Sequence, residues 1–484
     1  NITANTAGTV GIYAQDGSQF SHTGSGKKIT AGAGAVGIYT IGSGTSGTVS
    51  SEIEVRGSTS DKTGIGVYSD GKSVTTFNTG AKLVLGEGTV GLYSAKNNNF
   101  ETTFVTNGLK TEIGKKSVLA YFGSTGNQTD DTVNITNSTL ANLSIEKMGE
   151  KSALFYGAAG STVNIADNIM IAGTASSTID DSAQVLVTDG GNANINSGKT
   201  LTSELKTTIS GLNGATVTNE GTLALTGKDG AVGIYSNAST VKNSGTLTTN
   251  NQSSIGIYGK WFSTLTNNNV ITTLGNKSVG IFAENSTVEN KAANGKITTK
   301  GAQSAGIYGI GSIITNEKEI ITEEAGSAGI YANDSDVTNK STGNITIQKG
   351  SSAGIYATSI SMKNVTNDGD IEVGLAASSE IQGVGIYAGG HQNIENNGNI
   401  NIHMGNSIGI YGEGKNVSIE NKNKITSDTS VSSVIGIMAD KAKMSNLIGS
   451  EIKLQGKSSV GVYGINESEI ENSGSILITN TDND

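Results

Sequence analysis

The sequence contains no cysteine and no proline, one tryptophan and, in Arg56, one arginine. Without cysteine there are no disulfides, no thiolate metal sites and no cysteine nucleophile. The absence also suits export through an oxidising compartment, where stray thiols mispair. Proline is excluded from paired central strands, and a chain of several domains and linkers carries about 5% of it. A run of 484 residues with none points to a single architecture made almost wholly of hydrogen-bonded strand. With only one arginine, bidentate clamps for phosphate or carboxylate are nearly absent. The net charge is −10, so nothing supplies the basic stripe that nucleic acid requires. No apolar run reaches the 18 residues of a membrane helix, and the stretch is expected not to enter a membrane.

Glycine, at 68 residues, and asparagine are both about twice their ordinary usage. Both belong to a repeat. An apolar-Gly-Ile-Tyr string places its last residue at Tyr13, Tyr39, Tyr68, Tyr93, Tyr121, Tyr156, Tyr235, Tyr258, Tyr308, Tyr331, Tyr356, Tyr387, Tyr411 and Tyr463, which are all 14 tyrosines. Phe282 and Met438 take the same place in two further copies, and Val187 and Gly211 in two weaker ones. Some 8 to 11 residues later an apolar residue is followed two places on by asparagine, from Asn219 and Asn243 through Asn316 and Asn339 to Asn446 and Asn472. A third string follows, as in Gly398-Asn399-Ile400-Asn401-Ile402. Each segment alternates with period 2 rather than 3.6.

Three short strands per unit of roughly 26 residues cannot bury a face alone. Stacking unit on unit does bury one. The expected fold is therefore all-β, a right-handed parallel β-helix of about 18 rungs with three short strands per rung. It is read as one β-helix over residues 1–484, with less regular rungs and longer loops over 122–210. Period-2 alternation points the residue before each glycine, and the isoleucine after it, inward. Gly and Tyr then share the outer face, where the ring covers bare backbone. Two placements of the tyrosines stay open, a column on one flank or rings in a wide core. The asparagines are expected to stack, with carboxamides bonded from rung to rung.

The strings Ser278-Val279-Gly280-Ile281-Phe282-Ala283 and Ser459-Val460-Gly461-Val462-Tyr463-Gly464 carry a family resemblance. With the Asn and Gly-x-Ile strings behind them, they resemble the passenger domains of very large type V autotransporters. They are most similar to the fusobacterial outer-membrane adhesins. The resemblance implies secretion through a C-terminal barrel, display on the bacterial surface, and adhesion to host cells or other bacteria. The implied partner is a host receptor, protein or glycan, or a partner bacterial surface. The barrel is expected to lie beyond this fragment. Trimeric autotransporters carry similar strings on coiled-coil stalks, but no heptads are visible here, so a monomer is expected.

Other parallel β-helices degrade polysaccharides, and glycosidic hydrolysis needs two carboxylates about 5–9.5 Å apart. Asp130-Asp131 and Asp180-Asp181 are the adjacent aspartate pairs, and both fall in the irregular region. Adjacent aspartates are also common turn formers. His22, His391 and His403 are too scattered for a metal or acid–base set and read as surface residues. No cofactor fingerprint is present, so the reading is not enzymatic. A binding role is favoured by Trp261 and Phe262, two large aromatics in a turn where other rungs hold small polar residues. Phe100 and Phe104 form a weaker pair. The loops at 123–131, 174–182, 358–368 and 376–383 are further candidate epitopes. An inert spacer lifting a distal binding domain is the remaining alternative.

Overall fold

The computed structural model describes residues 1–57, 59, 62–95, 103–123, 131–136, 143–158, 160–171, 179–180, 182–291, 294–375 and 380–479. They form two compact units, Asn1–Val241 and Lys242–Asp484. Each is a parallel β-solenoid, and about 17 coils are present in all.

A coil of the second unit illustrates the plan. Val279–Glu284, Thr287–Asn290 and Lys296–Thr299 are its three strands. Each pairs in parallel with its equivalent in the next coil, Ala305–Ile310, Ile313–Asn316 and Glu319–Thr322. In the first unit Val36–Ile41, Ser46–Val49 and Glu52–Val55 pair in the same way with Ile65–Asp70, Val74–Phe77 and Lys82–Leu85. Equal positions therefore stack in columns. Ile281, Ile307, Ile330, Ile355, Ile386, Ile410 and Ile437 form one such column and are fully buried. Each contributes about 1.5–3 kcal/mol. The core of the first unit also holds Phe77, Phe104, Phe122 and Phe155.

The tyrosines lie on the outer flank, half-buried. In the first unit Tyr13, Tyr39, Tyr68, Tyr93, Tyr121 and Tyr156 stack with centroids 4.6–5.3 Å apart. Val187 follows in register and Ser210 after it, so Ser210 rather than Gly211 holds the tyrosine position in that coil.

The neighbours of the tyrosines do not face as alternation predicts. The glycine is buried, and the valine before it is half-exposed. An added Cβ on Gly306 would lie 2.5 Å from Ile320 Cγ2 and 2.6 Å from the Gly329 carbonyl oxygen. The glycine faces the core, where its missing side chain makes room for the third strand. Alternation breaks there, because glycine and isoleucine both turn inward and valine turns outward with tyrosine.

Two polar columns hold the corners. Ser278, Ser304, Ser327 and Ser352 each accept, on Oγ, the backbone N–H of the serine one coil earlier, at 3.1–3.2 Å. The buried asparagines form an unbroken ladder. Each Nδ2 donates to the next Oδ1 at 2.7–2.8 Å from Asn243 through Asn267, Asn290, Asn316, Asn339, Asn367, Asn396, Asn421 and Asn446 to Asn472. Asn316 also donates to the Lys318 carbonyl.

His403 is not the surface residue its isolation in the sequence suggests. Its side chain is 19% exposed and lies between two carboxylates of neighbouring coils. Nε2 is 2.9 Å from Glu372 Oε2 and Nδ1 is 2.7 Å from Asp428 Oδ2. Both ring nitrogens face acceptors, so the bound form is the imidazolium. The bond to Glu372 leads in raising the pKa to about 9, with burial opposing. Burial alone would raise Glu372, but bonds from His403 and Asn401 carry it below the usual carboxylate range.

Replacing Asn316 by alanine should strand the Asn290 donor and the Asn339 acceptor and cost about 2–4 kcal/mol in urea unfolding. Asn393→Ala, on the exposed face, should cost less than about 0.5 kcal/mol; equal losses would refute a stabilising ladder. For His403, the folded pKa of about 9 exceeds the ordinary 6.5. Its contribution is thus complete below pH 6.5 and lost as pH rises through 9. Glu372 acts oppositely, its share being lost as pH falls below its ordinary 4.5. The stability gap between the native protein and His403→Gln should peak at roughly pH 5–6.5 and close by about pH 10, measured by thermal melts. A gap independent of pH would contradict the clip.

Candidate functional site

In the second unit the corner between the tyrosine strand and the asparagine strand varies in length, from eight residues at Phe282–Asn290 to eleven at Tyr356–Asn367. Where the two residues are eight apart, one residue makes the turn in a left-handed conformation. Asn285, Gly311, Asp334 and Lys441 do this with φ of +48° to +58°. The stretch from asparagine to the next tyrosine varies too, from 15 residues at Asn316–Tyr331 to 20 at Asn367–Tyr387.

The Tyr258 coil has one more residue, and its turn holds Trp261 (φ +52°) and Phe262 (φ +65°) in succession. Bulky residues rarely adopt this region, at about 1–2 kcal/mol each. The backbone nonetheless stays in the ladder, since Trp261 N–H donates to Glu284 O and Phe262 N–H to Asn285 O. Held that way, Trp261 is 51% and Phe262 85% exposed. Neither ring folds down as a plug.

The Tyr356 coil has three extra residues. Residues 358–368 are not a free loop, because strand Ala353–Asn367 runs straight through the corner. Its register shifts between Ser359 and Lys363, lifting Ile360 and Met362 into solvent at 86% and 53% exposure. Asp334 of the preceding coil anchors this bulge. Its Oδ1 accepts from Ser359 Oγ at 2.7 Å and Ile360 N at 2.9 Å. These bonds, the Ser359 hydroxyl foremost, hold its pKa below the usual carboxylate value. The next two coils also run through the corner, as Val384–Asn396 and Ile408–Asn421.

A cavity of about 410 Å³ opens beside the bulge, lined by Ile360, Tyr387, Glu413, Asp440 and Lys441 among others. Tyr387 OH donates to Glu413 Oε2 at 2.7 Å, and Asn466 Nδ2 donates to Asp440 Oδ1 at 2.8 Å. Burial, with Glu413 beside it, pushes the Tyr387 phenol well above its usual range. Its hydroxyl therefore stays a donor. Gln392 is fully buried behind this corner, with no hydrogen-bond partner for either amide atom among the described residues.

The other candidates from the sequence do not join this site. Phe104 is 2% exposed, since its short strand pairs with Val74–Phe77 and turns the ring into the core of the first unit. It is a packing residue and offers no contact surface. Asp131 opens a paired strand, Asp131–Ile135. Asp180 shapes a turn, accepting from Ser182 N and Oγ at 2.9 and 2.6 Å. Phe100, Asp130 and Asp181, most of the 123–131 and 174–182 segments, and residues 376–379 lie outside the described residues. The sequence holds one signal for the corner, the variable spacing from Tyr to Asn. The partners Asp334, Glu413 and Asp440 have none, since they meet the corner only across coils.

The match to a family model spans residues 184–441 and is to the BigA third pectate lyase-like domain. No curated protein matches the chain. Among solved structures, Vag8 in its cryo-EM complex with C1 inhibitor is 11% identical, over 93% of this chain and 98% of that one, with a TM-score of 0.42. The A-module of the mannuronan C-5 epimerase AlgE6 of Azotobacter vinelandii is 10% identical, over 92% and 91%, with a TM-score of 0.21. The matched family segment covers more than half of the chain and most of the outgrown corner, and the chain belongs to the family of the BigA third pectate lyase-like domain.

Proposed function

We propose that this chain is a passenger segment of a bacterial autotransporter adhesin, displayed on the cell surface and contacting a host cell or another bacterium through its outgrown corner. The family match and the whole-chain repeat resemblance support the passenger reading. The closer likeness to fusobacterial adhesins belongs to the same proposal, as do a barrel anchor elsewhere in the parent protein and action as a monomer.

One observation carries the adhesive role. Trp261 and Phe262 stand in solvent on a backbone that disfavours both of them. A fold selected for stability alone favours glycine or asparagine there, and the single-residue turns of other coils hold Asn285, Gly311, Asp334 and Lys441, none of them aromatic. Rigid aromatics on a fixed turn are suited to anchoring a partner, since little freedom is lost on contact. Phe100, Asp130, Asp131, Asp180 and Asp181 stay secondary contact candidates on the first unit. The reading is non-enzymatic.

Strain and binding should separate in one variant. Trp261→Gly with Phe262→Gly should raise unfolding stability by about 1 kcal/mol by relieving two left-handed residues. The same variant should weaken attachment to host or bacterial cells at least about tenfold. Undiminished attachment would remove the aromatic turn from the mechanism and favour a spacer role.

A further inference from the structure

The outer flank of the second unit is not uniform. The residue before the motif glycine is Ile255, Val279, Val384, Ile408, Ile435 or Val460 in most coils, but Ala305, Ala328 and Ala353 in three successive ones. Ala328 and Ala353 open a trough beside the tyrosine column. It has a volume of about 400 Å³ and is walled by Tyr331, Tyr356 and Tyr387, with Gln382 and Ser352 at its edge. The three rings stack with centroids 4.9 and 4.6 Å apart, until Tyr411 turns edge-on at 76°.

Tyr387 lines this trough and also the polar cavity at the corner. The two concavities therefore meet across one ring, which the strand from Val384 onward carries from one to the other. From Val384 to Gly390 is six steps, about 20 Å of extended chain. One end of this path is aromatic and apolar. The other is floored by Gly389, Gly390 and Gly414, where backbone is bare, and bordered by Glu413, Asp440 and Lys441.

We propose that this path is a glycan-binding cleft for a neutral oligosaccharide lying parallel to the strands. Pyranose rings are amphipathic, with C–H faces that pack on aromatic side chains and rims of hydroxyl donors. The stacked tyrosines offer the C–H faces an apolar wall of ring edges. Glu413 and Asp440, acceptors only when ionised, take hydroxyl protons, and Lys441 donates back. Two carboxylates against one ammonium leave the polar end net negative, which disfavours a chain of uronic acids. The small residues of the trough admit the sugar where valine would fill the space. This assignment rests on the adhesin reading and names its ligand class.

The test uses the intact chain against three immobilised probes: a neutral hexose hexasaccharide, a uronic acid hexasaccharide and an unglycosylated protein surface. Wild type should be retained on the neutral probe only. Glu413→Gln with Asp440→Asn should weaken retention at least about tenfold. Ala328→Val with Ala353→Val, which fills the trough without touching the carboxylates, should weaken it too. Unchanged circular-dichroism spectra would confirm that the variants fold. Absence of retention on the neutral probe, preference for the uronic or protein probe, or indifference to both variant pairs would overturn the cleft. If cell attachment then still depends on Trp261 and Phe262, the adhesin reading stands without it.

Discussion

An asparagine buried at the same place in successive coils of the second unit is a strict constraint. Its carboxamide must find both donor and acceptor partners away from water, or leave a penalty of about 1–3 kcal/mol. In the second unit it finds them in the asparagines above and below. That arrangement fixes register, because a slip of one residue would remove the amide from the file and turn the strand over. With the asparagine and isoleucine columns pinned, length varies only between the columns. The corner between tyrosine and asparagine takes up part of that variation, and its bulges and exposed aromatics follow from that geometry.

The columns were open to reading because most coils of the second unit repeat them. Tyr and Asn are conspicuous, and their spacing sets the phase of the coils without knowledge of their contacts. The facing of the glycine was not readable. Period-2 alternation assumes a straight strand, and the chain bends where Gly306 meets Ile320. Phe104 misled for a related reason, since a phenylalanine beside an asparagine run resembles a turn until its strand is paired. The His403 clip was out of reach, its partners lying 31 and 25 residues away. Residues one coil apart are neighbours in space and strangers in sequence.

Corner and columns differ in their energetics as well. The serine and asparagine columns of the second unit are hydrogen-bonded from coil to coil. The corner holds Trp261 and Phe262 in an unfavoured backbone region and buries the Gln392 amide with no partner among the described residues. Such costs are borne where the surrounding framework over-determines the geometry. Long ladders on both sides supply that here, so local departures do not unravel the coil that carries them.

The asparagine file also has a direction. Every one of its side-chain bonds runs from an Nδ2 to the Oδ1 of the following coil, from Asn243 to Asn472. Backbone dipoles in a parallel ladder alternate and largely cancel, but these carboxamides all point the same way. Each polarises the next, so the bonds strengthen one another along the file. The second unit therefore carries in its core a polarised thread whose positive end faces the direction of chain growth.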